Sequence, residues 1–210
     1  MFNSIGNVYC VGRNYGLHAA ELGNGVPEKP MIFTKPTHSL VPMEGQIINV
    51  PGDMGDLHYE GELVLHIGKS YEKGRAVDQL VDKMALGIDF TLRDVQNQIK
   101  KNGHPWLPAK GFLNSAPITE FHAFPGLEEV KKREFTLEKN EKEVQRGNIQ
   151  DMIFDLQAIV DFIGLHYGLG AGDLIYTGTP AGVGKVLNGD SLELFWNGQS
   201  WGKVSVNLNQ

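Results

Sequence analysis

The stretch at residues 58–67 constrains the fold of this chain most, because it joins two carboxylates to a long apolar run. After Glu62 the run is rich in aliphatic residues, which predicts a buried β-strand. Residues two apart in a strand share one face, so Glu60 and Glu62 point the same way. Two carboxylates beside a core repel each other unless a positive charge lies between them, and a hard divalent cation supplies one. The alternative is a strand with both glutamates facing solvent.

A third carboxylate, Asp89, ends another short apolar run just before a predicted helix with Thr91 as its N-cap. Three carboxylates on two strand segments suit an octahedral Mg²⁺ or Mn²⁺, with positions left for water and substrate. Glu60, Glu62 and Asp89 are therefore the candidate metal ligands.

Length and composition indicate one domain over residues 1–210, with a possible lid helix within residues 1–30. The chain is 41% hydrophobic, enough for one full core, and its net charge of −6 gives no basic surface for nucleic acid. No stretch approaches the roughly 20 apolar residues of a membrane-spanning helix. The N-terminus lacks the features of a signal peptide. With a single cysteine, Cys10, the sequence indicates a cytoplasmic protein that does not enter membranes.

Short apolar runs separated by turn residues predict an α+β fold that is mostly β, with a few short helices. The 26 glycines fit tight turns between strands. Asn197 and Gly198 between two alternating runs predict one hairpin, and Asn140 with Glu141 predicts another. A wide apolar stripe predicts the longest helix at residues 151–167. Prolines exclude regular structure from residues 104–112, which we interpret as a shaped loop.

Four further polar residues lie where the core pattern gives no reason for them. Lys110, in the proline-framed loop, either extends to solvent or faces a fixed anion. Thr179 lies in a glycine-rich turn, which is either a plain tight turn or a source of backbone N–H groups for an anion. His18 and Glu21, on a predicted helix at residues 15–22, form either a surface pair or a general base oriented by a carboxylate.

Five stretches together resemble the fumarylacetoacetate hydrolase family, especially its short, single-domain acylpyruvate hydrolase-like members. They occur in family order, and the resemblance covers most of the chain. The stretches are GRNY at 12–15 with His18, YEGEL at 59–63, DFTLRDVQ at 89–96, WLPAKGF at 106–112 and GDLIYTGTPAGVG at 172–184.

The resemblance implies a mixed β-sandwich roll of the family's C-terminal-domain type, commonly a homodimer. It implies Mg²⁺ or Mn²⁺ at Glu60, Glu62 and Asp89. It makes His18 and Glu21 a water-activating dyad on a lid. The substrate contacts expected from the matching stretches are Arg13, Tyr15, Gln96, Lys110 and Thr179.

The implied reaction is metal-dependent C–C cleavage in a small 2,4-dioxo acid, an acylpyruvate, which releases pyruvate and a carboxylate. His18 would activate the water, and Lys110 would neutralise the oxyanion. Two alternatives use the same chelated 2-oxo group: oxaloacetate decarboxylation and isomerisation of 2-hydroxyhepta-2,4-diene-1,7-dioate. A non-enzyme alternative is a metal-dependent module that binds oxo acids without turnover.

Overall fold

A computed structural model describes residues 2, 4–16 and 27–209 of the chain. The strands are β1 (Val8–Gly12), β2 (Met31–Lys35), β3 (Leu40–Pro42), β4 (Glu44–Pro51), β5 (Leu57–Tyr59), β6 (Gly61–Ile67), β7 (Val81–Ile88), β8 (Thr91–Leu92), β9 (Ala116–Ile118), β10 (His122–Ala123), β11 (Phe135–Lys139), β12 (Lys142–Gly147), β13 (Leu174–Tyr176), β14 (Gly184–Lys185), β15 (Ser191–Trp196) and β16 (Gln199–Asn209). The helices are α1 (Val77–Leu80), α2 (Arg93–Asn102), α3 (Leu107–Lys110), α4 (Leu127–Lys131) and α5 (Leu156–His166), with 3-10 turns at Thr37–Ser39 and Ile149–Asp151. The predicted mostly β, α+β fold is confirmed.

The strands form three mixed sheets. The largest has the order β2-β1-β13-β6-β7-β9-β3, with β10 also paired to β7. The second has the order β12-β11-β15-β16-β4, and a small third sheet is β14-β5-β8. One cluster of buried apolar side chains includes residues of β6, β7, β11, β15, β16 and α5, so the two large sheets and the longest helix share a core.

Strand β6 lies at the centre of the largest sheet, hydrogen-bonded to β13 on one side and β7 on the other. Six of its seven residues are buried, as expected for an aliphatic run covered on both faces. The adjacent β7 is antiparallel to it, with Glu62 opposite Gly87 and Gly61 opposite Ile88. The end of β7 therefore lies beside the start of β6.

Both predicted hairpins are confirmed, with β11 paired to β12 and β15 paired to β16. The turn residues have positive φ, 52° at Asn140 and 65° at Glu141, and 49° at Asn197 and 79° at Gly198. Asn and Gly adopt this left-handed conformation at low cost, which is why they mark such turns.

Several predicted element boundaries are wrong. The long helix begins at Leu156 because the Asp155 side chain caps it, accepting a hydrogen bond from the Ala158 N–H at 2.8 Å. Thr91 does not cap α2, since it lies in β8 and its hydroxyl donates to the Asp89 carbonyl oxygen. Residues 104–112 contain the helical turn α3, where Pro108 lies in the first turn and no N–H is needed.

The predicted lid helix at residues 15–22 lies outside the described residues from position 17 onward. Tyr15 itself forms an isolated antiparallel bridge with Met152. Within the described ranges, no helix combines the length and apolar character needed to cross a membrane.

Candidate metal centre and active site

Three buried carboxylates converge where β6 begins and β7 ends. Glu60 precedes β6, Glu62 is its second residue, and Asp89 follows β7 directly. The Asp89 N–H donates to the Glu60 carbonyl oxygen at 2.8 Å, which continues the strand pairing and fixes the two residues side by side. One carboxylate oxygen from each residue lies within 4.8 Å of the others. The chain therefore brings together the three acids that the sequence singled out.

The donor set of this cluster fits a hard divalent cation. All three groups are carboxylates, the ligands that Mg²⁺ and Mn²⁺ prefer. Asp89 Oδ1 is buried and has no hydrogen-bond partner within residues 2, 4–16 and 27–209, although Lys35 Nζ lies 2.8 Å away as an ion-pair partner. An acceptor held in this way has electron pairs free for a metal. We therefore describe Glu60, Glu62 and Asp89 as a candidate metal centre.

Three cations balance the three acids. Lys110 Nζ donates to Glu60 Oε2 at 2.8 Å and to Asp89 Oδ2 at 2.6 Å. The Arg93 guanidinium donates to Glu60 Oε1 at 2.5 Å. Lys35 pairs with the remaining Asp89 oxygen. Buried charges are tolerated only when paired in this manner, so the cations hold the carboxylates in place.

Lys35 is a site residue that the sequence reasoning missed. Its side chain is fully buried, and its ammonium donates to the carbonyl oxygens of Phe90, Lys110 and Ser115 and to the Ser115 hydroxyl. These bonds join the segment between β7 and β8, which contains Asp89, to the helical turn α3, which contains Lys110. The available signal was a lysine at the end of an apolar run, directly before Pro36.

Replacing Lys35 with methionine should destabilise the protein strongly. The substitution keeps the volume of the side chain but leaves Asp89 Oδ1 and several carbonyl oxygens buried without their cation. Removing one partner of a buried ion pair lowers the free energy of unfolding by about 3–5 kcal/mol. Urea unfolding of Lys35→Met, with the exposed Lys73→Met as control, measures this difference. Equal stability of the two variants would refute the stabilising role of Lys35.

Burial and charge in this cluster shift two pKa values upward. Burial raises the pKa of Glu62 well above its usual range, and repulsion from Asp89 adds to the effect. The Gly178 N–H, which donates to Glu62 Oε2 at 2.7 Å, opposes the shift. For Lys110, burial lowers the pKa, but the nearby Asp89 and Glu60 outweigh it and the net shift is upward. Lys110 therefore stays protonated and can act as a hydrogen-bond donor.

The raised pKa of Glu62 predicts a specific pH dependence for the metal-free protein. Because native Glu62 holds its proton to higher pH than an unfolded glutamate, this group lowers stability as pH rises above about 4.3. Glu62→Gln should remove that loss, so the variant should gain stability over wild type from pH 5 to pH 8. Urea unfolding of both proteins in EDTA at pH 5 and at pH 8 measures this gain in stability. The same difference between variant and wild type at both pH values would contradict a raised pKa for Glu62.

The three acids line a cavity. Four of the predicted substrate contacts line it: Arg13, Gln96, Lys110 and Thr179. Arg93, Lys100, Phe33 and Trp106 also line it. This cavity is the candidate active site.

Helix α2 supplies the polar wall of the cavity. Arg93 and Gln96 are three apart on one helical face, and the Arg93 guanidinium donates to Gln96 Oε1 at 2.7 Å. Since this bond uses the amide oxygen, the amide N–H₂ of Gln96 is available to the cavity. Arg93 thus orients both a metal-ligand candidate, Glu60, and a substrate-contact candidate.

The glycine-rich turn at residues 178–180 is anchored beside Glu62. The Thr179 hydroxyl donates to the Gly61 carbonyl oxygen at 2.9 Å and accepts from Gln145 Nε2 at 2.8 Å. Gln145, a buried residue of β12 that the sequence did not indicate, also accepts the Gly61 N–H at 2.8 Å. The anion that this turn binds through a backbone N–H is the protein's own Glu62. Thr179 itself lines the cavity.

Tyr15, His18 and Glu21 are not among the described cavity residues. Tyr15 is buried and lines a separate cavity with Asp151 and Arg146, and its hydroxyl has no hydrogen-bond partner among the described residues. Its role as a substrate contact stays a prediction. His18 and Glu21 lie outside the described residues, so the dyad also stays a prediction.

Comparison with known proteins identifies the family. The sequence model of the protein family described as fumarylacetoacetate (FAA) hydrolase C-terminal matches residues 7–204. The chain belongs to the fumarylacetoacetate hydrolase family. The fold predicted from the five matching stretches, the mixed β-roll of this family, is therefore confirmed.

Three relatives in the family cover most of this chain. The oxaloacetate tautomerase YcgM of Escherichia coli is 37% identical over 93% of this chain and 90% of its own length. The mitochondrial oxaloacetate decarboxylase of Dictyostelium discoideum is 37% identical over 89% of this chain and 86% of its own. The fumarylpyruvate hydrolase of Pseudomonas aeruginosa, solved in complex with Mn²⁺ and pyruvate, is 33% identical with a TM-score of 0.89, covering 98% of this chain and 91% of that chain.

Proposed function

We propose that this family member is a divalent-metal-dependent enzyme that forms the enolate of a small 2-oxo acid. The observation that carries the proposal is the cluster of Glu60, Glu62 and Asp89, buried and opening into a cavity with Lys110 on its wall. When bound by these carboxylates, the metal ion polarises the 2-oxo group and stabilises negative charge on its oxygen. A non-catalytic binding module would need no such set of charged donors around the substrate.

The side chains of the cavity supply the remaining requirements of enolate formation. Lys110 is protonated and buried, so its ammonium stabilises an oxyanion more strongly than it would in water. The free amide N–H₂ of Gln96 can donate to a substrate carboxylate. Phe33 and Trp106, with ring centroids 5.5 Å apart, form an apolar part of the cavity wall. Together these groups would bind the carboxylate of the substrate and stabilise the negative charge that forms on its oxygen.

Oxaloacetate is the substrate we propose first, in a keto–enol interconversion. The C3–H bond breaks, its electron pair forms the C2–C3 double bond, and the 2-oxo oxygen takes up a proton. The similarity to YcgM supports this reaction, since that protein carries the name oxaloacetate tautomerase. His18, oriented by Glu21, is the proposed acceptor of the C3 proton. Oxaloacetate decarboxylation would instead break the C3–C4 bond, release CO₂ and leave the enolate of pyruvate, so it would not need this base.

Acylpyruvate hydrolysis is the second candidate, and the similarity to a fumarylpyruvate hydrolase complex with pyruvate favours it. Water adds to C4 as His18 takes its proton, and Lys110 neutralises the oxyanion at C4. The C3–C4 bond then breaks, and its electron pair passes to C3 to give the enolate of pyruvate. Protonation at C3 completes pyruvate and leaves the acyl part as a carboxylate.

A substrate panel with Mn²⁺, Mg²⁺ or EDTA tests the proposal. Oxaloacetate is assayed for enolisation and for CO₂ release, and acetylpyruvate for pyruvate release. We expect metal-dependent turnover of at least one substrate, and His18→Ala should reduce enolisation and hydrolysis by about 10²–10⁴-fold while sparing decarboxylation. Tight binding of these acids with no turnover in any assay would overturn enzymatic function in favour of a binding module.

A further inference from the structure

The candidate active site contains more positive charge than its carboxylates require. Lys35, Arg93 and Lys110 already pair with Glu60 and Asp89, and these three cations equal the three acids in number. Arg13 and Lys100 line the same cavity, and neither forms an ion pair with any residue in the described part of the chain. The described cavity therefore carries two unbalanced cations, although the whole chain has a net charge of −6. Local charge of this kind attracts anions into a cleft.

The backbone holds Arg13 at the cavity in an unfavourable conformation. Its φ is +57°, in the left-handed region that non-glycine residues rarely adopt. The buried neighbour Asn14 fixes this turn, because its Nδ2 donates to the Thr177 carbonyl oxygen at 2.9 Å and its Oδ1 accepts the Phe154 N–H at 2.9 Å. Strain that surrounding bonds maintain in this way is typical of functional positions.

Lys100 reaches the cavity from helix α2. It follows Arg93 and Gln96 at positions i, i+3 and i+7, so all three lie along one helical face and line the cavity. Partial burial lowers the pKa of Lys100, and the positive charges of Arg13 and Arg93 lower it further. Arg13 and Lys100 are thus like charges close enough to repel each other, an arrangement that a bound anion would stabilise.

We propose that Arg13 and Lys100 bind the distal carboxylate of the substrate, so that the enzyme selects 2-oxo dicarboxylates over 2-oxo monocarboxylates. This inference rests on the proposed function, in which the first carboxylate and the 2-oxo group occupy the metal end of the cavity. The second carboxylate then meets two cations that have no ion-pair partner among the described residues. A substrate with an uncharged distal end would gain nothing from them and would pack only against the aromatic pair Phe33 and Trp106.

A matched pair of substrates isolates this interaction. Oxaloacetate and its 4-methyl ester differ only in the distal charge, and both can enolise. Lys100→Met removes the cation, and the exposed neighbour Lys101→Met is the control, since Lys101 does not line the cavity. We expect Lys100→Met to lower kcat/KM for oxaloacetate by about tenfold, mainly through KM, and to change kcat/KM for the ester by less than about twofold. Lys101→Met should leave both values unchanged.

Two further variants and one inhibitor guard against indirect effects. Lys100→Glu should reverse the preference toward the ester, which a merely structural role would not do. Arg13→Asn, which tolerates the left-handed backbone, should lower the oxaloacetate preference as Lys100→Met does. Oxalate is short enough to occupy the metal end alone, so its inhibition constant should change by less than about twofold in every variant.

The outcomes separate the two proposals. If wild type turns over neither the oxaloacetate pair nor acetylpyruvate with metal present, the proposed function fails. If wild type is active but Lys100→Met lowers kcat/KM equally for oxaloacetate and its ester, or for neither, the distal-carboxylate subsite is refuted while the proposed function stands. Wild-type turnover of acetylpyruvate with oxaloacetate inert would also refute the subsite.

Discussion

Lys110→Met is expected to reduce kcat by about 10³-fold while leaving Mn²⁺ affinity at least as high as in wild type. Lys110 is buried, protonated and in contact with Glu60 and Asp89 on the wall of the cavity. Removing a preorganised donor to a developing oxyanion costs about 10²–10³ in rate, and loss of its charge in a buried site adds to this. The metal does not lose a ligand, because the ammonium competes with the ion for the same carboxylate oxygens.

Steady-state kinetics and Mn²⁺ titration of Lys110→Met test this directly, with circular dichroism to verify folding and Lys101→Met as the control. A kcat within about tenfold of wild type would show that Lys110 does not act on the substrate. A large loss of Mn²⁺ affinity would show that its role is to organise the metal centre instead.

Asp89→Asn is expected to weaken Mn²⁺ binding by more than about 100-fold and to abolish turnover at ordinary metal concentrations. Asparagine keeps the shape of the side chain, and its amide oxygen can still accept from Lys35 or Lys110. What it removes is the negative charge that a hard cation requires, in a site where water cannot substitute for it. Loss of an indirect contact to a metal typically costs 10–100-fold in affinity, and loss of a direct ligand should exceed that.

The control for Asp89→Asn is the exposed Asp53→Asn, which should bind Mn²⁺ as wild type does. Adding Mn²⁺ at high concentration should partly restore turnover in Asp89→Asn, since the site is weakened and not removed. Full activity of Asp89→Asn at low Mn²⁺ would contradict its assignment as a ligand.

The sequence was sufficient to predict the three clustered carboxylates because local rules determine their positions. Side-chain alternation puts Glu60 and Glu62 on one side of the chain, and the end of an apolar run places Asp89 at the end of the adjacent strand. Arg93 and Gln96 followed from helical spacing, and Lys100 on the same face was available to the same argument. The two hairpins followed from turn residues that tolerate positive φ.

The sequence was insufficient where a side chain is positioned by distant backbone. Lys35 bonds to carbonyl oxygens that lie 55 to 80 positions along the chain, and Gln145 reaches Gly61 across 84 positions. No periodicity or spacing rule encodes such contacts. The helical turn α3 was missed for a different reason: Pro108 lies in the first turn, where proline is compatible with a helix, and the prolines were interpreted as excluding one.

Mn²⁺ titration of the metal-free protein tests the central claim most directly. Isothermal titration calorimetry followed by activity measurements on the same sample gives both binding and function. We predict one ion bound per chain, loss of that binding in Asp89→Asn, no turnover in EDTA, and full recovery when Mn²⁺ is restored. Undiminished turnover by a sample shown to contain no metal would contradict the assignment of Glu60, Glu62 and Asp89 as a catalytic metal centre.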